Sequence, residues 1–248
     1  MSLAPNEPGA VPGAQSLHRR FSPLDTASAT YDEEAHFAAK QREWRFSGSA
    51  DCIKFTPFVG EEDRVLDFGC RGGDMLANLA CRERLGIEGN ARSRQDCKET
   101  GVRAVAAIDD VPDEWADVLI SHHALEHVAA PYEALIRLRR KVRPGGTVVF
   151  VVPCESVHVP YDPEDPHRHL FTWNPLNLAN LFKCAGYEVL SAQPYFHRWP
   201  PKASLVQRWF GWRVFHALSS IYGRCFTRLS HSMVVAAPAS GDMTDPRR

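Results

Sequence analysis

From Asp63 onward, short apolar runs alternate with stretches whose apolar residues recur at three- and four-residue spacing. The runs "RVLDF", "RAVAAI", "ADVLISHH" and "TVVFVVP" are too short for ordinary helices, and the last is β-branched, as a parallel strand covered on both faces requires. The segment holding Met75, Leu76, Leu79 and Ala80, then "APYEALIRLRRKV" and "NPLNLANLFKCAG", carry helical spacing, with Gly186 stopping the last. "GIEGN" reads as a strand end, "RPGG" at Arg143 to Gly146 as a turn, and "YEVLSAQ" and "SMVVAAP" as two final strands. This alternation predicts an α/β fold with a doubly wound, mostly parallel sheet.

Outside that region the pattern changes. Tyr31 to Phe58 has helical spacing, with Phe37, Trp44 and Phe46 among charged residues. Residues 1–28 carry Pro5, Pro8, Pro12 and Pro23 among small and polar neighbours, too little apolar area to offset the entropy of ordering, so a disordered tail is expected there. A flexible tail is likewise expected over 239–248, leaving one domain over 29–238. Residues 197–228 interrupt the strand rhythm with aromatics and arginines. They read either as a helical hairpin packed on the domain or as a lid or interfacial helix, with Trp209, Phe210, Trp212 and Phe215 in an acyl boundary and peripheral membrane contact.

Composition narrows the picture in three ways. The 248 residues suit one catalytic-size domain, and 29 Lys+Arg against 30 Asp+Glu, net −1, provide no overall footprint for nucleic acid, so none is expected as a partner. The 7 cysteines show no CxxC spacing, which argues against a disulfide framework or a cysteine zinc site. No signal-peptide pattern or membrane-length apolar run is visible, and a cytoplasmic location is expected.

The candidate chemistry begins at "VLDFGCRGGDML", a strand entering a glycine-rich turn and then a helix. Such turns let backbone N–H groups approach a ligand closely. Glu88 in "GIEGN", at the end of the next strand, is placed to accept hydrogen bonds from ribose hydroxyls. With "ADVLISHHALEHV" and "VRPGGTVVFVVP" following in order, the chain from about Asp63 to Ala237 resembles the class I S-adenosylmethionine-dependent methyltransferases. That resemblance implies a seven-stranded Rossmann-like sheet with an antiparallel last strand, and S-adenosylmethionine as cofactor. It implies that Asp67 holds the methionine amino group, Gly69 and Gly73 let the turn pass the ligand, Glu88 binds ribose and Asp109 borders adenine. Cys70, Arg71, Gly89, Ser121 and His122 complete the implied cofactor-binding set. The departure is Arg71, where the family's middle glycine is expected; Gly72 follows and could adopt the unusual backbone conformation in its place.

A second constellation is "SHHALEHV", Ser121 to Val128, at the carboxyl end of the fourth predicted strand, where open α/β sheets bind ligands. If that segment is helical, His123, Glu126 and His127 stand at i, i+3 and i+4 on one face, a metal-ligand spacing. Downstream lies "DPHRHLFTW". The small-RNA 2'-O-methyltransferases and ubiquinone-pathway O-methyltransferases look similar in having "ExxEH" plus a later histidine that together bind a divalent metal. By that resemblance the ligands would be His123, Glu126, His127 and His169, with His123 replacing the first glutamate. Such a set suits zinc, iron or manganese better than magnesium. Without metal, His123 or His127 is the expected general base, with Glu126 beside it. "HALEH" also spells an inverted zinc-protease motif, but that needs a long helix, and Pro131 interrupts early.

The expected activity is therefore methyl transfer to an oxygen of a small-molecule or sugar or glycan acceptor, since the cluster suits deprotonation of a hydroxyl and the nitrogen-acceptor signature "NPPY" is absent. The rivals are a non-catalytic adenosyl-ligand sensor or scaffold and a nicotinamide oxidoreductase. "DFGCRGG" lacks the GxGxxG spacing of the latter.

Overall fold

The computed structural model describes residues 45–156, 158–165, 167–226 and 229–239. The tails expected over 1–28 and beyond 239 lie outside the described residues. So does the start of the helix expected from Tyr31. Its end is helical over 45–51 (α1) and runs into two single 3-10 turns, Cys52–Lys54 and Thr56–Phe58.

Seven strands form one sheet: β1 (Arg64–Phe68), β2 (Glu83–Ile87), β3 (Arg103–Val105), β4 (Ala116–His122), β5 (Val142–Glu155), β6 (Tyr187–Tyr195) and β7 (Leu229–Pro238), in the order β3-β2-β1-β4-β5-β7-β6. All neighbours pair in parallel except β7, which is antiparallel to both β5 and β6. This is the predicted doubly wound, Rossmann-like sheet. Its strand order reverses between β1 and β4, where such sheets open a crevice at their carboxyl ends.

Because side chains alternate across a strand, neighbouring residues feed two cores. Leu66, Leu119 and Phe150 pack with Leu135 and Leu138 of α4 (Pro131–Arg139) and Phe182 of α5 (Pro175–Cys184) on one face. Val65, Ile120 and Val149 pack with Phe55, with Leu76 of α2 (Asp74–Ala77) and with Cys97 of α3 (Ala91–Glu99) on the other. Asn90 caps α3 and Asn174 caps α5 by accepting backbone N–H bonds, and Gly186 at φ 86 ends α5's exit turn.

One expectation changes. The "RPGG" turn is absorbed into β5 as a bulge: Ala116 pairs with Val142 but Val118 with Thr147, so the residues between loop out and the strand resumes. Within residues 197–228, Ala203–Cys225 form α6, two helical stretches joined across a kink at Gly211, which sits at φ 75 and ψ 174. Among the described residues, no helix is long and apolar enough to cross a membrane.

Candidate active site

The turn leaving β1 is held by three left-handed residues, Gly69 (φ 81), Arg71 (φ 51) and Gly73 (φ 78). A Cβ on Gly69 would collide with that of Ala124, so the donor-side turn and the loop after β4 abut. The expectation that Gly72 takes the strained conformation is corrected: Arg71 adopts it itself. Its side chain is exposed, and its backbone is fixed at both ends, its N–H donating to Glu88 Oε2 at 3.0 Å and its C=O accepting from Cys97 Sγ at 3.0 Å. An exposed L-residue in this conformation costs about 1 to 2 kcal/mol, which such bonds can offset.

Asp67, 1% exposed, has no hydrogen-bond partner on either carboxylate oxygen. Burial, reinforced by the Glu88 charge, pushes its pKa up to about 8. Glu88 also accepts from Asn90 N–H at 2.8 Å, while Arg94 donates to the carbonyls of Glu88 and Gly89, bracing the strand end beneath it. Asp67 and Arg71 border a cleft whose walls also include Ser47, Gly48, Asp51 and His122, and Glu88 adjoins it through its bond to the Arg71 N–H. The orphaned Asp67 carboxylate fits an ammonium group, which would supply its missing donors and restore its charge. An S-adenosylmethionine amino group meets that requirement, with Glu88 retaining acceptor capacity for hydroxyls.

The other predicted donor-side residues divide. Ser121 Oγ donates to Phe68 C=O at 2.8 Å, tying the ends of β4 and β1 together. Cys70 borders the cleft, but its thiol turns inward, 3.9 Å from Cys97 Sγ and against Gly86. Gly89 is exposed, outside the residues that line the cleft. The structure does not bring Asp109 to this cleft: its carboxylate is exposed and pairs with Arg137 of α4 at 2.7 Å.

Beyond β4, the expected helical face is absent. His123 stays beside β5, donating its N–H to Val151 C=O, then turns at φ 53, and only a 3-10 turn, Leu125–His127, follows. His123 is thereby separated from Glu126 and His127 and does not belong to their cluster. Its ring lies between His122 (4.3 Å, stacked) and His231 of β7 (4.9 Å). Lys54 Nζ reaches His122 Nε2 at 2.7 Å and Asp51 Oδ1 at 2.9 Å, with Lys54 3% and Asp51 6% exposed. Since an ammonium can only donate, His122 Nε2 is the acceptor. Burial, then the Lys54 charge, holds the His122 imidazole well below its usual range and His231 at about 3; burial and His122 do the same for His123. These rings are neutral at pH 7.

The second cluster retains three of the four predicted ligands. Glu126 is fully buried with both oxygens unpartnered, and Nε2 of His127 and of His169 each lie 4.0 Å from its Oε1. One ligand atom from each of the three lies within 4.8 Å of the others. Glu155, at the end of β5, meets His169 Nδ1 at 2.7 Å and so aims its Nε2 inward. Burial raises Glu126 to about 8, with Glu155 adding to the effect, and burial followed by His169 lowers His127 to about 4.

Asp51, Lys54, Glu155 and His231 were not among the predicted site residues. Only Glu155 carried a usable signal, a carboxylate at the end of the strand "VVPCE"; the others reach the site from segments with no motif of their own.

The methyltransferase-domain family model matches residues 27–192. An uncharacterized methyltransferase of Mycobacterium bovis is 28% identical over 183 residues, 69% of this chain and 84% of that protein. Among solved structures, a SAM-dependent methyltransferase from Archaeoglobus fulgidus superposes with a TM-score of 0.56 at 18% identity, covering 83% of this chain and 99% of that one. The [4+2]-cyclase SpnF does so at 0.54 and 18%, covering 78% and 81%, a reminder that the fold alone does not dictate the reaction.

Proposed function

This chain belongs to the methyltransferase-domain family, and from that premise we propose that it moves a methyl group from S-adenosylmethionine to a hydroxyl of a small-molecule, sugar or glycan acceptor. On the donor side, Asp67 binds the amino group and Glu88 the ribose hydroxyls. The observation that carries the choice of oxygen is Glu126, a fully buried carboxylate without a donor, set between two imidazoles beside the donor turn.

Transfer breaks the sulfonium carbon–sulfur bond, forms a carbon–oxygen bond and leaves the hydroxyl proton to be taken up. At pH 7 the ligand-free Glu126 is mostly protonated, its pKa being about 8. The positive sulfonium favours the ionised form, which then accepts the proton. His127, held neutral, is a second acceptor, and Glu155 keeps His169 facing the same space. Holding the hydroxyl in line with the methyl supplies much of the acceleration. Glu126, His127 and His169 would also hold a divalent cation, whose Lewis acidity would lower the hydroxyl pKa; two nitrogens and one oxygen favour zinc, iron or manganese over magnesium.

The test is incubation with methyl-labelled S-adenosylmethionine and hydroxylated acceptors, before and after chelation, with the product's methyl position read by NMR. An O-methyl product is expected. N- or C-methylation would overturn the oxygen assignment, and adenosyl-ligand binding without turnover across the acceptor panel would favour a sensor instead.

A further inference from the structure

The long helix α6 has two unlike faces. Phe215, Ser219 and Gly223 are buried against the domain. Ser219 C=O accepts from Arg198 N–H at 3.1 Å, and a Cβ on Gly223 would approach the His197 nitrogen to 3.0 Å, so the helix lies flush on the chain leaving β6. Trp212 and Phe215 pack on Phe46 of α1, each with ring centroids 5.6 Å away. These contacts fix the helix's rotation about its axis, and with it what the other side shows to solvent.

That outer side is apolar. Val214, Leu218 and Ile221, at i, i+4 and i+7, are 41%, 40% and 59% exposed; before the bend, Trp209 is 77% and Phe210 65% exposed. The charge is one-sided as well. From His197 to Arg228 the sequence holds Arg198, Lys202, Arg208, Arg213, Arg224 and Arg228 and no aspartate or glutamate, in a chain whose net charge is −1. An exposed aromatic and aliphatic stripe flanked by cations is what an interfacial helix offers to a bilayer.

We propose that α6 lies in the surface of an anionic membrane, with Trp209, Phe210, Leu218 and Ile221 in the acyl boundary and Arg208, Arg213 and Arg224 among the head groups. Its two helical stretches, joined at Gly211, can both lie in the interface, and no described helix is long and apolar enough to span the bilayer. A second copy of the chain is the poorer occupant: pairing two such faces would bring like charges together with no carboxylate in the segment to offset them.

Flotation of the full-length protein with vesicles tests this, comparing phosphatidylcholine alone with phosphatidylcholine containing about one third phosphatidylglycerol. Binding to the anionic vesicles, weakened by salt and accompanied by a blue shift of tryptophan emission, is expected. Arg208→Gln and Arg213→Gln should each lower partitioning about fivefold, and the Trp209→Glu/Leu218→Glu double variant about tenfold or more. Unchanged melting and S-adenosylhomocysteine affinity would show these variants folded. Failure of the wild type to bind anionic vesicles, or equal binding by the folded double variant, overturns the proposal. So does a lipid-free dimer that the double variant dissolves, which would make the face a self-interface.

Discussion

The two polar regions at the carboxyl edge of the sheet, here the donor and acceptor halves of the candidate site, are built differently. The donor half is mainly local backbone: one turn after β1 and one strand end after β2, with Glu88 accepting the Arg71 N–H from 17 residues away. The acceptor half is assembled from side chains on distant segments. Lys54 and His122 are 68 residues apart, His123 meets a histidine on the last strand, and Glu126 faces His169 from the far side of β5. A local frame defines a ligand site by conformation, while a dispersed one defines it through burial and partner choice, and the two should fail differently when disturbed.

The largest expected failure is on the acceptor side. Glu126→Gln should lower turnover by about 10²- to 10⁴-fold, the usual worth of a positioned proton acceptor, while titration calorimetry finds S-adenosylhomocysteine affinity unchanged. A parallel loss of affinity would mean that the halves are not separable. Next comes Lys54→Met, which leaves Asp51 buried and charged without its partner. Burial alone would raise the Asp51 pKa, but the Lys54 ammonium holds it below the carboxylate range. Breaking such a pair costs roughly 3 to 5 kcal/mol. Urea denaturation should show that loss, and Asp51→Asn added to Lys54→Met should recover most of it.

The donor half should show the opposite sign. Asp67→Asn removes a buried carboxylate that lacks donors, so the ligand-free protein should gain about 4 kcal/mol at neutral pH while losing affinity for S-adenosylmethionine. With a folded pKa of about 8 against an ordinary 3.8, the native state binds the extra proton between those values. The wild type therefore loses stability as pH rises through that window. The gain from Asp67→Asn should be near zero below about pH 4, grow to about pH 8 and then level off. Thermal melts across this range check it, and a pH-independent gain would mean that Asp67 is solvated or already paired.

The same contrast explains what was legible in the sequence. Strand and helix alternation is encoded within short windows, so the sheet could be read directly, and with it the placing of Asp67 and Glu88 at the ends of neighbouring strands. "SHHALEHV" was legible as chemistry but not as conformation. His123's left-handed turn and its bond to β5 are tertiary choices, and they move it to the His122–His231 stack. Asp51 and Lys54 look like ordinary i, i+3 surface charges until the fold buries them, and over 197–228 the helical pattern was legible but not its covered face, because a broad apolar pattern does not say which side packs on the domain.

The smallest expected effect bears on the residue that departs from the glycine pattern. Arg71→Gly relieves a left-handed conformation worth about 1 to 2 kcal/mol but adds backbone freedom to the unfolded chain worth about 0.4 to 1 kcal/mol. The net gain in stability should therefore stay near 1 kcal/mol. The N–H that donates to Glu88 and the C=O that accepts from Cys97 both belong to the backbone, so glycine keeps the turn intact. Affinity for S-adenosylhomocysteine should then change less than about fivefold, the worth of one charge interaction near a solvent-exposed surface. A larger loss, screened by salt, would assign the guanidinium to the ligand's carboxylate. A gain above tenfold would mean that Arg71 obstructs the cleft, and the donor half would then be the degenerate one that a non-catalytic sensor requires.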